Sequence, residues 1–273
     1  MKKILFVCDG DNFPNGAMEF IKQLHDADPV IVKGLFFEPI DFQELIPISF
    51  IPTAAPYVKL KEEEKKLVKK SMEKFITACE LNGIKYEADK NGEVDRDLLV
   101  METRFADLML ISEELFCTDL IDYQPNVFMK EILQCAECPV IVIPENFNSV
   151  NRIVVAYDGK KESMLALKQF CNLLPNFTDL PTEFVYIKNE ENDEIPENAL
   201  LKEYARAHFN NSSVFKLHFD AKIYFATWAE MRKHILLVTG SYGRPALSSL
   251  LRSSFSGQMI SEHKMPVFIA HHI

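Results

Sequence analysis

The chain has 273 residues, 48% of them hydrophobic and 26% charged, with 9 glycines and 14 prolines, which excludes a collagen, a flexible-linker protein or a chain disordered throughout. About 100–200 residues per domain is usual, so the length fits one large domain or two small ones. Its 30 basic and 40 acidic side chains leave a net charge of −10, a balance that argues against a general nucleic-acid binder.

The opening run, Met1-Lys2-Lys3-Ile4-Leu5-Phe6-Val7-Cys8-Asp9, reaches an acid after five apolar residues. It is too short for a signal-peptide core and reads as a strand. No apolar run of 18 residues follows, so neither a membrane span nor a membrane partner is expected, and the protein is read as cytoplasmic. Short apolar runs then alternate with longer segments of helical period. The first half is predicted to hold strands near 3–8, 30–37, 84–88, 107–112 and 139–143, with helices near 13–26, 57–82, 93–104 and 124–136. The second is predicted to hold strands near 152–157, 183–188, 213–219, 234–239 and 266–270, with helices near 160–174, 195–209, 224–232 and 253–263. Runs such as Ile141-Val142-Ile143 lack polar alternation, as strands covered on both faces do. This order implies right-handed crossovers and an open parallel sheet, with any ligand beyond the carboxyl ends of strands at a topological switch point.

The two halves repeat one unit. Lys3-Ile4-Leu5-Phe6-Val7-Cys8-Asp9-Gly10 parallels Arg152-Ile153-Val154-Val155-Ala156-Tyr157-Asp158-Gly159, and Cys138-Pro139-Val140-Ile141-Val142-Ile143 parallels Met265-Pro266-Val267-Phe268-Ile269-Ala270. The offset is 149 residues at the start and 127 at the end, so the first copy carries 22 extra residues. They are assigned mainly to Glu38–Pro56, where Pro39, Pro47, Pro52 and Pro56 cannot share one regular element. Two tandem domains are expected, 1–147 and 151–273, with a boundary near Asn146–Asn151. Each would be a five-stranded parallel α/β sandwich, and the pair would pack about a pseudo-twofold axis. Residues 1–150 hold 16 basic and 27 acidic side chains, net −11, while 151–273 hold 14 and 13, net +1. The second half is therefore the electrostatically easier place for an anion.

There, Thr239-Gly240-Ser241-Tyr242-Gly243-Arg244 leads from a strand toward a helix opened by Ser253-Ser254-Phe255-Ser256. Gly240 and Gly243 permit positive φ and close backbone approach, and free amides at a helix start favour phosphate. Arg244 and Arg252 add positive charge. Asp158, ending the first strand, can accept from a ribose hydroxyl. The plainer readings are a turn-glycine pair with a serine-capped helix, and an Asp-Gly turn.

These residues resemble the universal stress protein family in its tandem form, over essentially the whole chain. ATP-binding members carry glycine, two residues, glycine, nine residues, then glycine and Ser or Thr. Gly240 and Gly243 match, residues 244–252 supply the nine, and Ser253 stands where the last glycine would be. The resemblance implies Rossmann-like domains of the adenine-nucleotide-binding type. By it, Asp158 binds ribose, Val185 or Tyr186 lies against adenine, and Ser254 and Ser256 contact phosphates. The candidate site is thus Tyr157, Asp158, Val185, Thr239, Gly240, Tyr242, Gly243, Ser253, Ser254 and Ser256, binding ATP or another adenine nucleotide, with or without Mg. The resemblance also implies that Val140–Ile143 and Val267–Ala270 meet, making an intramolecular pseudo-dimer that leaves a further homodimer open.

The corresponding first-half loop, Ser112 to Asp122, has no glycine and four acids, Glu113, Glu114, Asp119 and Asp122. Like charges about 4 Å apart repel by roughly 1 kcal/mol even in water, so this crevice is expected to hold no polyphosphate. The six cysteines are scattered as buried thiols are, and Cys135-Ala136-Glu137-Cys138 ends a helix, where the dipole disfavours thiolate. The charged run from Lys59 to Lys70 reads as the solvated face of a docked helix, and Trp228 as core. No catalytic constellation is present. The leading expectation is a stress-response or regulatory protein that binds nucleotide in its second domain, with an unknown protein partner. The alternatives are a ligand-free interaction module and a slow ATPase.

Overall fold

The computed structural model describes residues 1–9, 13–37, 54–88, 96–112, 132–187, 194–217, 228, 232, 234–240 and 265–270. Chain order runs β1 (Lys2–Asp9), α1 (Asn15–Ala27), β2 (Val30–Phe37), α2 (Ala54–Leu81), β3 (Lys85–Ala88), α3 (Arg96–Thr103), β4 (Leu108–Ser112) and β5 (Val140–Ile143). The second half continues with β6 (Arg152–Tyr157), α4 (Lys161–Leu173), β7 (Thr182–Ile187), α5 (Asn198–His208), β8 (Ser212–Leu217), β9 (Ile235–Gly240) and β10 (Val267–Ala270). Residues 132–135 are helical as well.

The strands form one ten-stranded sheet in the order β3-β2-β1-β4-β5-β10-β9-β6-β7-β8. Each five-strand half reads third, second, first, fourth, fifth, and all its pairings are parallel. The halves join through the one antiparallel pair, β5 with β10, where Phe268 faces Ile141. The expected meeting of the two fifth strands is thus what fuses the repeats. Every residue of β4, β5 and β10 is buried, which accounts for their unbroken apolar sequences. The outermost strand β3 alternates exposed and half-buried positions, as an edge must.

Successive residues of a strand point to opposite faces, and the core divides accordingly. Ile4, Phe6 and Cys8 join a layer with α1, α2, α4 and α5, while Leu5 and Val7 join α3 and the helical residues Ile132 and Leu133 on the other face. The first layer crosses between the halves: Phe20 of α1 lies 5.3 Å from Phe147 and 6.0 Å from Phe177, ring centre to ring centre. The connection between halves is held down as well. The Gln23 amide donates to the Val150 carbonyl and accepts from its N–H, both at 3.2 Å.

The repeat also conserves a half-buried ion cluster with its parts exchanged. In the first half Lys3 (3.5 Å) and Lys33 flank Glu102 of α3. In the second, Arg152 and Arg232 each reach Glu183 of β7 at 2.7 Å, and Arg232 stacks on Trp228. Lys33 pairs in register with Leu5, and Glu183 with Val154, which are counterparts in the repeat. The same sheet position thus holds a cation in one copy and an anion in the other.

Three details differ from the expected elements. Helix α2 starts at Ala54, so Pro56 lies in its first turn rather than outside it. Proline is tolerated there because that N–H has no helical partner. A single 3-10 turn, Pro175–Asp179, follows α4, where Pro175 prevents the helix from continuing. Of the helices expected at 224–232 and 253–263, only isolated residues of the first lie among those described, with Trp228 helical. Trp228 is half-buried and packs against the second core layer. Residues 38–53 of the expected Glu38–Pro56 insertion also lie outside the described residues. No helix among the described residues is long and apolar enough to cross a membrane.

Candidate functional site

In the second half β6 lies between β9 and β7, so the chain leaves it in opposite directions on either side. In open α/β sheets ligands bind at such a switch point, here outside the carboxyl ends of β6 and β9. Asp158 follows β6 directly. Its Oδ1 accepts from the Lys160 N–H at 3.0 Å, closing the turn into α4. Its Oδ2 is buried and makes no hydrogen bond; the Lys160 ammonium stands 3.5 Å away. Gly159 has φ +80, and a Cβ there would lie 2.7 Å from two carbons of the Pro196 ring. Both the conformation and the space therefore require glycine.

Pro196 belongs to a strap, residues 194–197, that leads into α5. Tyr157, 5% exposed, donates its hydroxyl to the Pro196 carbonyl at 3.1 Å, and Glu197 Oε2 lies 3.4 Å away. Burial first, and then the Glu197 carboxylate, push this phenol up to about 12. Tyr157 is thus a protonated brace for the strap. Glu197 holds the strap's turn at φ 45, and Asn198 beside it has a buried Oδ1 with no hydrogen bond.

The other candidates fall in three groups. Val185 has no exposed surface and packs in the second core layer with Val154 and Leu237, while Tyr186 is 2% exposed in the first. Both work as core here. Thr239 is half-buried, its hydroxyl 3.3 Å from the Gly240 carbonyl. Gly240 ends β9 without positive φ; among the described residues only Gly83 and Gly159 are glycines of that kind. A Cβ on Gly240 would stand 2.5 Å from Glu162 C and O and 2.7 Å from Ser163 N. The close backbone approach expected here is therefore made to the first turn of α4. Tyr242, Gly243, Ser253, Ser254 and Ser256 lie outside the described residues, as do Arg244, Arg252 and the first-half acids 113–122.

Sequence reasoning passed over Lys160, Pro196 and Glu197. Only the pair Lys160-Lys161 after Asp158-Gly159 offered a signal, a positive charge placed beside that turn. Lys160 is the N-cap of α4 and makes no side-chain cap.

Of the cysteine pair, Cys138 is part of the packing. Cys138 is buried, its thiol pushed up to about 12 by burial and by nearby Asp107, while Cys135 is exposed. A thiol held protonated is a poor nucleophile. No group of three or more His, Cys, Asp and Glu side chains among the described residues is placed to hold a metal. An apolar cavity bordered by Leu24, Leu108, Leu173 and Phe177 lies between the halves, away from the Asp158 crevice.

No family model matches this sequence. No curated protein matches it either. Solved structures do. A universal stress protein from Archaeoglobus fulgidus DSM 4304 superposes with a TM-score of 0.73 at 16% identity, covering 98% of each chain. A functionally unknown protein from Pseudomonas aeruginosa PAO1 superposes at 0.56 and 11% identity, covering 99% of this chain and 92% of that one. At such identities the likeness is one of fold: this chain has, over its full length, the α/β fold found in a universal stress protein.

Proposed function

We propose that this chain binds ATP or a related adenine nucleotide in the crevice beyond β6 and β9, and that the bound state serves as a regulatory or stress-response signal rather than as a step of catalysis. In this reading 1–147 and 151–273 are two domains, and the acid-rich first one carries structure or partner contacts. The observation that carries the reading is Asp158. A carboxylate oxygen buried without a hydrogen bond is costly, and a ribose hydroxyl donating to it removes that cost. Its place at the switch point, on a turn fixed by Gly159 and Pro196, supports the same assignment.

Isothermal calorimetry of the full chain with ATP tests it. Hydrogen bonds to a charged group contribute about 1.5–3 kcal/mol, so Asp158→Ala is expected to weaken binding by roughly tenfold or more. Absence of heat and of any Tm shift with the wild-type chain overturns the reading.

One observation favours a ligand-free interaction module instead. The backbone of α4 already stands where a Cβ of residue 240 would be, so packing alone accounts for the glycine there. Native mass spectrometry of freshly purified protein separates the two readings, since the module carries no co-purified nucleotide.

A further inference from the structure

We infer that Pro196 is a positioning residue for the nucleotide site, setting the direction in which Asp158 offers its unbonded oxygen to a sugar hydroxyl. The inference rests on the nucleotide reading and extends it to a residue outside the glycine–serine motif. One proline holds the chain on both sides of Asp158. Its carbonyl accepts from the hydroxyl of Tyr157, the residue before, at 3.1 Å. Its ring stands against Gly159, the residue after, so closely that a Cβ there would lie 2.7 Å from two ring carbons. Asp158 Oδ1 is tied to the Lys160 N–H at 3.0 Å. With the main chain held on both sides and one oxygen engaged, the buried Oδ2, which makes no hydrogen bond, keeps a fixed place.

Pro196 is itself held. Ile195 packs against the first core layer, and α5, which begins at Asn198, is docked on that layer by the buried Leu201 and Ala205. Between Pro196 and α5 stands Glu197 at φ 45, a left-handed conformation that a glutamate rarely adopts. Such a conformation persists where the surroundings over-determine it. The strap thus brings one proline against one turn from a firmly packed helix. A brace that served folding alone would act on every ligand alike. A brace that aims Oδ2 acts only on ligands that donate to it.

Calorimetry with ATP and with 2′,3′-dideoxy-ATP compares the full wild-type chain with Tyr157→Phe and Pro196→Gly. The two nucleotides share base and phosphates, so the ratio of their affinities reports the sugar hydroxyls alone. The wild-type chain is expected to prefer ATP by roughly tenfold or more. Each variant is expected to cut that preference by about threefold or more, to change dideoxy-ATP by less than about twofold, and to leave the ratio alone in an Asp158→Ala background, as coupled residues do. If Pro196→Gly does not fold, Pro196→Ala, which keeps the Cβ part of the contact, is read the same way. An unchanged preference in the variants, or equal losses for both nucleotides, overturns the positioning role. Equal affinity of the wild-type chain for the two overturns the assignment of Asp158 to the sugar and the positioning role with it. Failure of the wild-type chain to bind either overturns the nucleotide reading itself, which keeps the failures distinct.

Discussion

Replacing Gly240 with alanine separates packing from ligand binding at the end of β9. The added Cβ would lie 2.5 Å from Glu162 C and O and 2.7 Å from Ser163 N, all backbone atoms of the first turn of α4. Backbone cannot swing aside as a side-chain tip can, so α4 must shift from β9. Overpacking of this kind costs about 1–3 kcal/mol. Working against it, alanine lowers the entropy of the unfolded chain, worth about 0.4–1 kcal/mol where its backbone conformation is allowed. The steric term is the larger, and the net expectation is a loss of roughly 1–2 kcal/mol. For a chain of this size that is a fall in Tm of about 2–6 °C by calorimetry without ligand. An unchanged Tm in the ligand-free protein, with nucleotide binding lost, would refute the packing assignment and return Gly240 to the ligand.

The half-buried ion cluster and the strap give two further expectations. Glu183→Ala removes the carboxylate shared by Arg152 and Arg232, which are themselves partly solvated, and should lower the urea-unfolding free energy by about 1–2 kcal/mol, measured as a shift in midpoint at constant slope. A midpoint within the error of wild type would mean that the cluster contributes nothing net. Tyr157→Phe removes the hydrogen bond to Pro196 and should cost about 1 kcal/mol at pH 7. The same variant has an alkaline signature. The folded phenol is raised to about 12 from an ordinary value of 10.0, so its contribution is intact below pH 10 and is lost as pH rises toward 12. Stability of the variant should fall less steeply than wild type across that window, and parallel curves would contradict the assignment.

The repeat explains why so much of the fold was legible. β4, β5 and β10 are apolar at almost every position because both of their faces are covered, and such runs stand out without an alignment. The Asp158-Gly159 turn was equally plain, since Gly159 needs its positive φ locally. Gly240 was not. Its sequence context suggested a turn, but what it touches is a helix start far back in the chain, and no local pattern encodes that approach. Val185 illustrates the same limit: a strand residue near a switch point can face a ligand or the core, and here the packing of the sheet places it in the core.

The sequence by itself determined the duplication, the alternation of strands and helices, the closing of each first strand on an acid, and the charge contrast between the halves. These are local or periodic properties, written in residues that are neighbours along the chain. Only the tertiary structure decided that β5 and β10 pair antiparallel into one sheet, that Glu183 takes the sheet position Lys33 holds in the other copy, and that Asp158 keeps one buried oxygen facing Lys160. Those facts depend on which distant surfaces come together and on what remains unsatisfied when they do.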